Sequence, residues 1–195
     1  MANLITLDDY KTSEKIESTK DDTRLTSLIA SVSQLVKTYC NNTIVDYYSS
    51  NKTEVFSIGS AATSVQLSES PVNTIVSVKE RTGISSAYTT LTVNSDYYLD
   101  TVTDSIFRSN GGTRYKNFPT GPGSVEVVYK AGWSTCPADL KLAIIDLINY
   151  YHKDEHKARQ TMQGASTANN STSSQNDNVG FPDHIKRVLD LYKNY

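Results

Sequence analysis

The stretch Ser124–Tyr151, SVEVVYKAGWSTCPADLKLAIIDLINYY, decides the fold. Val125, Val127 and Tyr129 recur at the two-residue period of a strand, and Gly132–Trp133 reads as a turn. Leu140, Ala143, Ile144, Leu147, Ile148 and Tyr151 then fall on one face of a helix. Pro137 suits a first helical turn, Ser134 or Thr135 can cap it, and Asp139 complements the helix dipole. The seam therefore joins a β-rich middle to a long helix predicted over Pro137–Lys157.

Working back toward the N-terminus, a short helix is predicted from near Thr6 to before Lys20. Asp21, Asp22 and Thr23 offer caps for a second. Leu25, Leu28, Ile29, Val32, Leu35, Val36 and Tyr39 form its stripe, and Asn41–Asn42 ends it. Between these helices the period changes to two. Candidate strands are Glu54–Ile58, Ser64–Ser68, Thr74–Glu80, Tyr88–Val93, Tyr97–Leu99, Ser105–Arg108 and Ser124–Lys130. Gly59, Gly83, Asn94–Ser95, Gly111–Gly112 and Gly121–Gly123 punctuate them as turns. A small antiparallel meander or open barrel is expected.

Working forward, Gln160–Asn178 is a run of Ser, Thr, Asn and Gln that reads as a linker or functional loop. Pro182 opens a last helix whose stripe is Ile185, Val188, Leu189, Tyr192 and Tyr195. A helix this short is marginal in water and must dock, either on its own bundle or in a partner's groove. The whole reads as α+β: a small helical bundle core, an inserted antiparallel β module, and a C-terminal docking helix after a flexible linker. The expected boundaries are 1–43 for the first part of the helical core, 44–132 for the β module and 133–159 for the long core helix. The linker occupies 160–180 and the docking helix 181–195.

Composition narrows the function classes. The chain has 195 residues, 37% hydrophobic, with a net charge of −2. Its charges are mixed in sign and no block of Lys or Arg stands out, so a strong electrostatic grip on nucleic acid is not indicated. Cys40 and Cys136 are too far apart for a zinc knuckle and are read as buried free thiols. The Asp, Lys and Glu of Met1–Lys20 do not read as a secretory leader, so the sequons at Asn41, Asn51 and Asn170 are taken as chance. No apolar run reaches the roughly 20 residues of a membrane span.

One motif carries potential chemistry. His152-Lys-Asp-Glu155-His156 matches the H-x-x-E-H pattern of a zinc hydrolase, in which two histidines four apart on a helix share a side and the glutamate acts as base. A third ligand is not evident, and the motif falls where a helix end is simply polar. Gly121-Pro122-Gly123 and Gly111-Gly112 lack the trailing Lys-Ser/Thr of a phosphate loop. Cys136 sits at a helix start, which can lower a thiol's pKa, but no histidine is placed to activate it. No catalytic residue, cofactor or metal site is assigned. The 13 tyrosines, with pairs at 47–48, 97–98 and 150–151, fit either interface contact or ordinary β and helix packing.

The segments TRLTSLIASVSQLVKTYC, SPVNTIVSVK, DYYLD, VEVVYKAGWSTCPADLKLAIIDLINYY and FPDHIKRVLDLYKNY occur in that order. This order, from about Asp22 to Tyr195, resembles the head–tail connector (adaptor) proteins of tailed bacteriophages. Tyr129-Lys-Ala-Gly132-Trp133 before Pro137-Ala-Asp-Leu140, and Pro182 to Tyr192, carry most of the likeness. The resemblance implies a non-enzymatic virion neck subunit assembled in the host cytoplasm. It implies a homo-oligomeric ring, usually dodecameric, beneath the portal protein, with DNA passing through its channel without specific binding. The C-terminal tail would reach the portal, and the other end would receive a stopper or tail-completion protein. On that basis Ile185, Val188, Leu189 and Tyr192, with Lys186 and Arg187 as polar partners, are the expected portal-binding residues. The competing readings are another virion or surface binding module acting through its β domain, and the zinc hydrolase through His152, Glu155 and His156.

Overall fold

The computed structural model describes residues 2–153 and 181–194, which fall into two compact units. One is formed by Met1–Cys40 with Thr135–Lys193, the other by Asn41–Ser134.

The first unit is helical: α1 (Leu7–Glu14), α2 (Asp22–Cys40), α3 (Ala138–His152) and α4 (Asp183–Asp190). A capping box starts α1. The Asp9 amide donates to Thr6 Oγ1 and the Thr6 amide donates to Asp9 Oδ2, both at 3.1 Å. Lys15, at φ 54°, ends α1 in the left-handed region, earlier than the periodicity predicts. Asn41, at φ 49°, follows the end of α2 where the sequence places it. The cap of α3 differs from expectation. Pro137 itself holds the N-cap position with no side-chain cap bond, and neither Ser134 nor Thr135 takes that place. Asp139 does lie in the first turn.

Packing follows the apolar stripes. Leu25, Ile29, Val32 and Val36 of α2 are buried, as are Leu140, Ile144, Leu147 and Ile148 of α3. Each such side chain stabilises the fold by about 1.5–3 kcal/mol relative to full exposure. Asn149 of α3 clasps α1 by accepting from Tyr10 Oη at 2.6 Å and donating to Glu14 Oε1 at 2.8 Å. Lys141 reaches Asp9 at 2.7 Å.

The second unit is all β: β1 (Lys52–Ile58), β2 (Ser64–Gln66), β3 (Val72–Glu80), β4 (Thr89–Thr90), β5 (Tyr97–Asp100), β6 (Ser105–Asn110), β7 (Arg114–Tyr115) and β8 (Gly121–Ala131). They form two antiparallel sheets rather than one meander or barrel. One has the order β1-β8-β3-β4, and the other β2-β6-β5 with β7 hydrogen-bonded to β6. The last strand is thus central to its sheet. Tyr129 faces Lys52 on one side and Ile75 on the other. Gly121 and Gly123, expected in a turn, begin β8, where Gly121 pairs with Ile58. The predicted strand over 88–93 shrinks to the two residues of β4. Val65, Leu67, Val78, Tyr97, Ile106, Val125, Val127 and Tyr129, drawn from both sheets and their connections, share one buried cluster.

Candidate functional site

α4 lies within FPDHIKRVLDLYKN, residues 181–194. Its stripe is occupied by the chain itself: Phe181 is 7% exposed, Ile185 1% and Leu189 0%. Phe181 meets the Tyr39 ring edge-on at a centroid distance of 5.1 Å. Tyr39 Oη donates to Asp190 Oδ1 at 2.7 Å, Cys40 Sγ donates to the Leu189 carbonyl at 3.5 Å, and Tyr192 Oη donates to Asp139 Oδ1 at 2.5 Å. Lys193 Nζ lies 4.4 Å from the centre of the Tyr39 ring.

Of the six residues expected to meet a portal, Ile185 and Leu189 therefore face the helical core. Lys186, Val188 and Tyr192 are half-buried and Arg187 is exposed. Leu191, absent from the expected set, is 77% exposed just beyond the helix. The sequence stripe identifies α4 as amphipathic. It does not say whether the groove that takes it belongs to this chain or to another.

The residues of the hydrolase reading are only partly described. α3 ends at His152, with Lys153 as its C-cap, so of the three motif residues only His152 lies among the described ones. Glu155 and His156 lie outside the described residues, as does the predicted linker. Among the described residues no group of three or more His, Cys, Asp and Glu could hold a metal ion. Burial pushes the thiols of Cys40 and Cys136 up to about 12, and for Cys136 this outweighs the lowering a helix start can bring. Both are neutral at physiological pH and poor nucleophiles. No described helix is long and apolar enough to cross a membrane.

In the β unit the polar groups are tied into networks that the sequence did not announce. Lys52 bridges Glu54 and Glu69, each at 2.9 Å. Tyr129 Oη donates to Glu54 at 2.8 Å and accepts from the Glu69 amide at 3.2 Å. Burial, then the Glu54 carboxylate, raises the Tyr129 phenol, while bonds from Ser68, Lys52 and Tyr129 lower Glu54 against its burial. Arg108, only 4% exposed, makes a two-pronged contact with Glu80 at 2.9 Å per bond. Arg81 is held by the carbonyls of Gly123, Ile84 and Pro122 and lies 4.9 Å from the centre of the Tyr88 ring. These charges staple loops to strands and leave no cleft of convergent reactive groups.

Known proteins share this arrangement. A family described as Head completion protein matches residues 3–195. The head completion protein of Escherichia phage T5 is 32% identical over 77 residues, which is 40% of this chain and 42% of that protein. The match thus spans under half the length of that relative. The fold is similar to a chain in the neck of an empty GTA particle computed with C6 symmetry, with a TM-score of 0.63 at 14% identity over 98% of this chain and 90% of that one. It is also similar to a chain in the neck of the native GTA particle computed with C12 symmetry, with a TM-score of 0.57 at 15% identity over 100% and 96%. A chain from the virion of the native gene transfer agent particle gives 0.60 at 15% identity over 98% and 90%.

Proposed function

This chain belongs to the head completion protein family, and from that premise we propose that it is a structural subunit of the virion neck. In this reading it forms a closed homo-oligomeric ring, dodecameric like the portal above it. The ring extends the DNA channel and offers a platform to a stopper or tail-completion protein. It catalyses nothing and needs no cofactor. The observation that carries the reading is the family match over 3–195, from one end of the chain to the other. The C12 symmetry of the native GTA neck supports the ring number.

The portal-facing surface is the outward side of α4. Arg187 and the C-cap residue Leu191 are among its exposed members, with Lys186, Val188 and Tyr192 at its margin. Ile185 and Leu189 contribute by fixing the helix that displays them. The test is co-elution of the purified chain with the portal protein of the same phage. Arg187→Glu with Leu191→Asp is expected to abolish co-elution while leaving the melting temperature unchanged. A doubly substituted chain that still binds portal overturns the assignment of this surface. A wild-type chain that neither binds portal nor self-associates overturns the neck reading.

A further inference from the structure

The hairpin 109–117, SNGGTRYKN, joins β6 to β7, and every residue from Asn110 to Asn117 is exposed. It carries Arg114 and Lys116, and no carboxylate occurs between Asp104 and Glu126. Most other cations of the β unit are spoken for. Lys52 lies between Glu54 and Glu69, Lys79 meets Glu126 at 2.7 Å, Arg108 meets Glu80 at 2.9 Å and Asp96 at 3.6 Å, and Arg81 is spent on carbonyls. Among the described residues, Arg114 and Lys116 have no carboxylate within ion-pair distance.

The hairpin is also held in shape. The Gly112 amide donates to the Ser95 carbonyl at 2.8 Å and the Lys116 amide to the Arg108 carbonyl at 3.0 Å. A Cβ on Gly112, at φ +71°, would stand 2.7 Å from the Asn94 carbonyl oxygen, so the turn requires glycine. Tyr115 packs against Tyr98 and Phe107 at centroid distances of 6.5 and 6.1 Å. Arg114 and Lys116 stand one residue to either side of Tyr115, at most about 7 Å apart along the chain. Each strand of duplex DNA presents a phosphate about every 3.4 Å along its axis, so both cations can meet one strand together.

We infer that this hairpin touches the phosphate backbone of duplex DNA through Arg114 and Lys116, without reading sequence. The inference rests on the neck reading for its choice of polyanion, because the ring proposed above extends a DNA channel. Two cations per subunit make a weak contact, which suits a surface that DNA slides past. Repetition around a ring multiplies it.

The test is fluorescence anisotropy of a short mixed-sequence duplex with the full chain, across a salt series starting at low ionic strength. Binding is expected to fall with salt. Arg114→Gln with Lys116→Gln should reduce the log–log slope by about 1.8, at about 0.9 per lost phosphate contact. Lys15→Gln with Lys20→Gln, on the helical unit, should leave the slope unchanged. A slope untouched by the hairpin substitutions overturns the inference, as does one reduced equally by the control pair or a wild-type chain that ignores DNA at the lowest salt. Portal co-elution of the hairpin variant separates the two ideas: binding retained with an unaltered slope removes the DNA contact and leaves the neck reading in place.

Discussion

Gly132 stands at the end of β8 with φ +92°, and a Cβ there would overlap the Ile44 carbonyl oxygen. That oxygen accepts from the Trp133 amide at 2.8 Å, while the Gly132 amide donates to the Pro71 carbonyl at 2.8 Å. Gly132→Ala combines a disfavoured backbone with a backbone clash, and is expected to destabilise the chain by more than about 2 kcal/mol in chemical denaturation. Tyr129→Phe removes the donor to Glu54 and leaves the Glu69 amide without its acceptor. Its expected cost is about 1–3 kcal/mol with little change in secondary structure. Asp9 gives a pH signature. The Lys141 ammonium first, then the Thr6 amide, hold its carboxyl at about 2, below its ordinary 3.8. Its contribution is complete above the unfolded value and is lost as pH falls from about 4 toward 2. The stability difference between wild type and Asp9→Asn should therefore shrink over that window and be constant above pH 5. A constant difference down to pH 2 would contradict the pairing.

Among the elements, helices were the most legible. The stripes of α2 and α3 run at 3.6-residue spacing through residues the fold buries, and Asn41 marks the end of α2 by its left-handed backbone. Strands were legible where Val, Ile and Tyr alternate, as in β3 and β8. β7 was not, because Arg114-Tyr115 has no alternation and is placed only by pairing with β6. Sheet order was hidden for a related reason. β8 lies between β1 and β3 through pairs such as Lys52↔Tyr129 and Ile75↔Tyr129, which no local pattern encodes. For the candidate surface, the sequence marked α4 but not its burial. Leu189, 0% exposed, is a core residue of the helical unit, so Leu189→Ala should cost about 2–5 kcal/mol and lower the melting temperature whether or not a partner is present. A Leu189→Ala chain with wild-type stability would show that α4 leaves its groove in solution. The hairpin cations were invisible for another reason: their lack of partners emerges only once Lys52, Lys79, Arg81 and Arg108 are seen to be engaged.

For the molecule as a whole, the described residues divide the work. A helical unit closes its own core around α4, and a β unit fixes its loops with paired charges. Neither gathers reactive side chains into a cleft. The net charge of −2 and the scatter of cations leave no broad positive field, so association with DNA stays weak in any one subunit. In the function proposed above the chain acts through assembly, and assembly is where the account is most exposed. The measurement that tests it most directly is single-particle electron microscopy of the purified chain mixed with the portal protein of its phage. The account predicts a coaxial ring of twelve copies at the portal's exit, with α4 toward the portal. Isolated chains, or a complex with no ring on the portal, would contradict it.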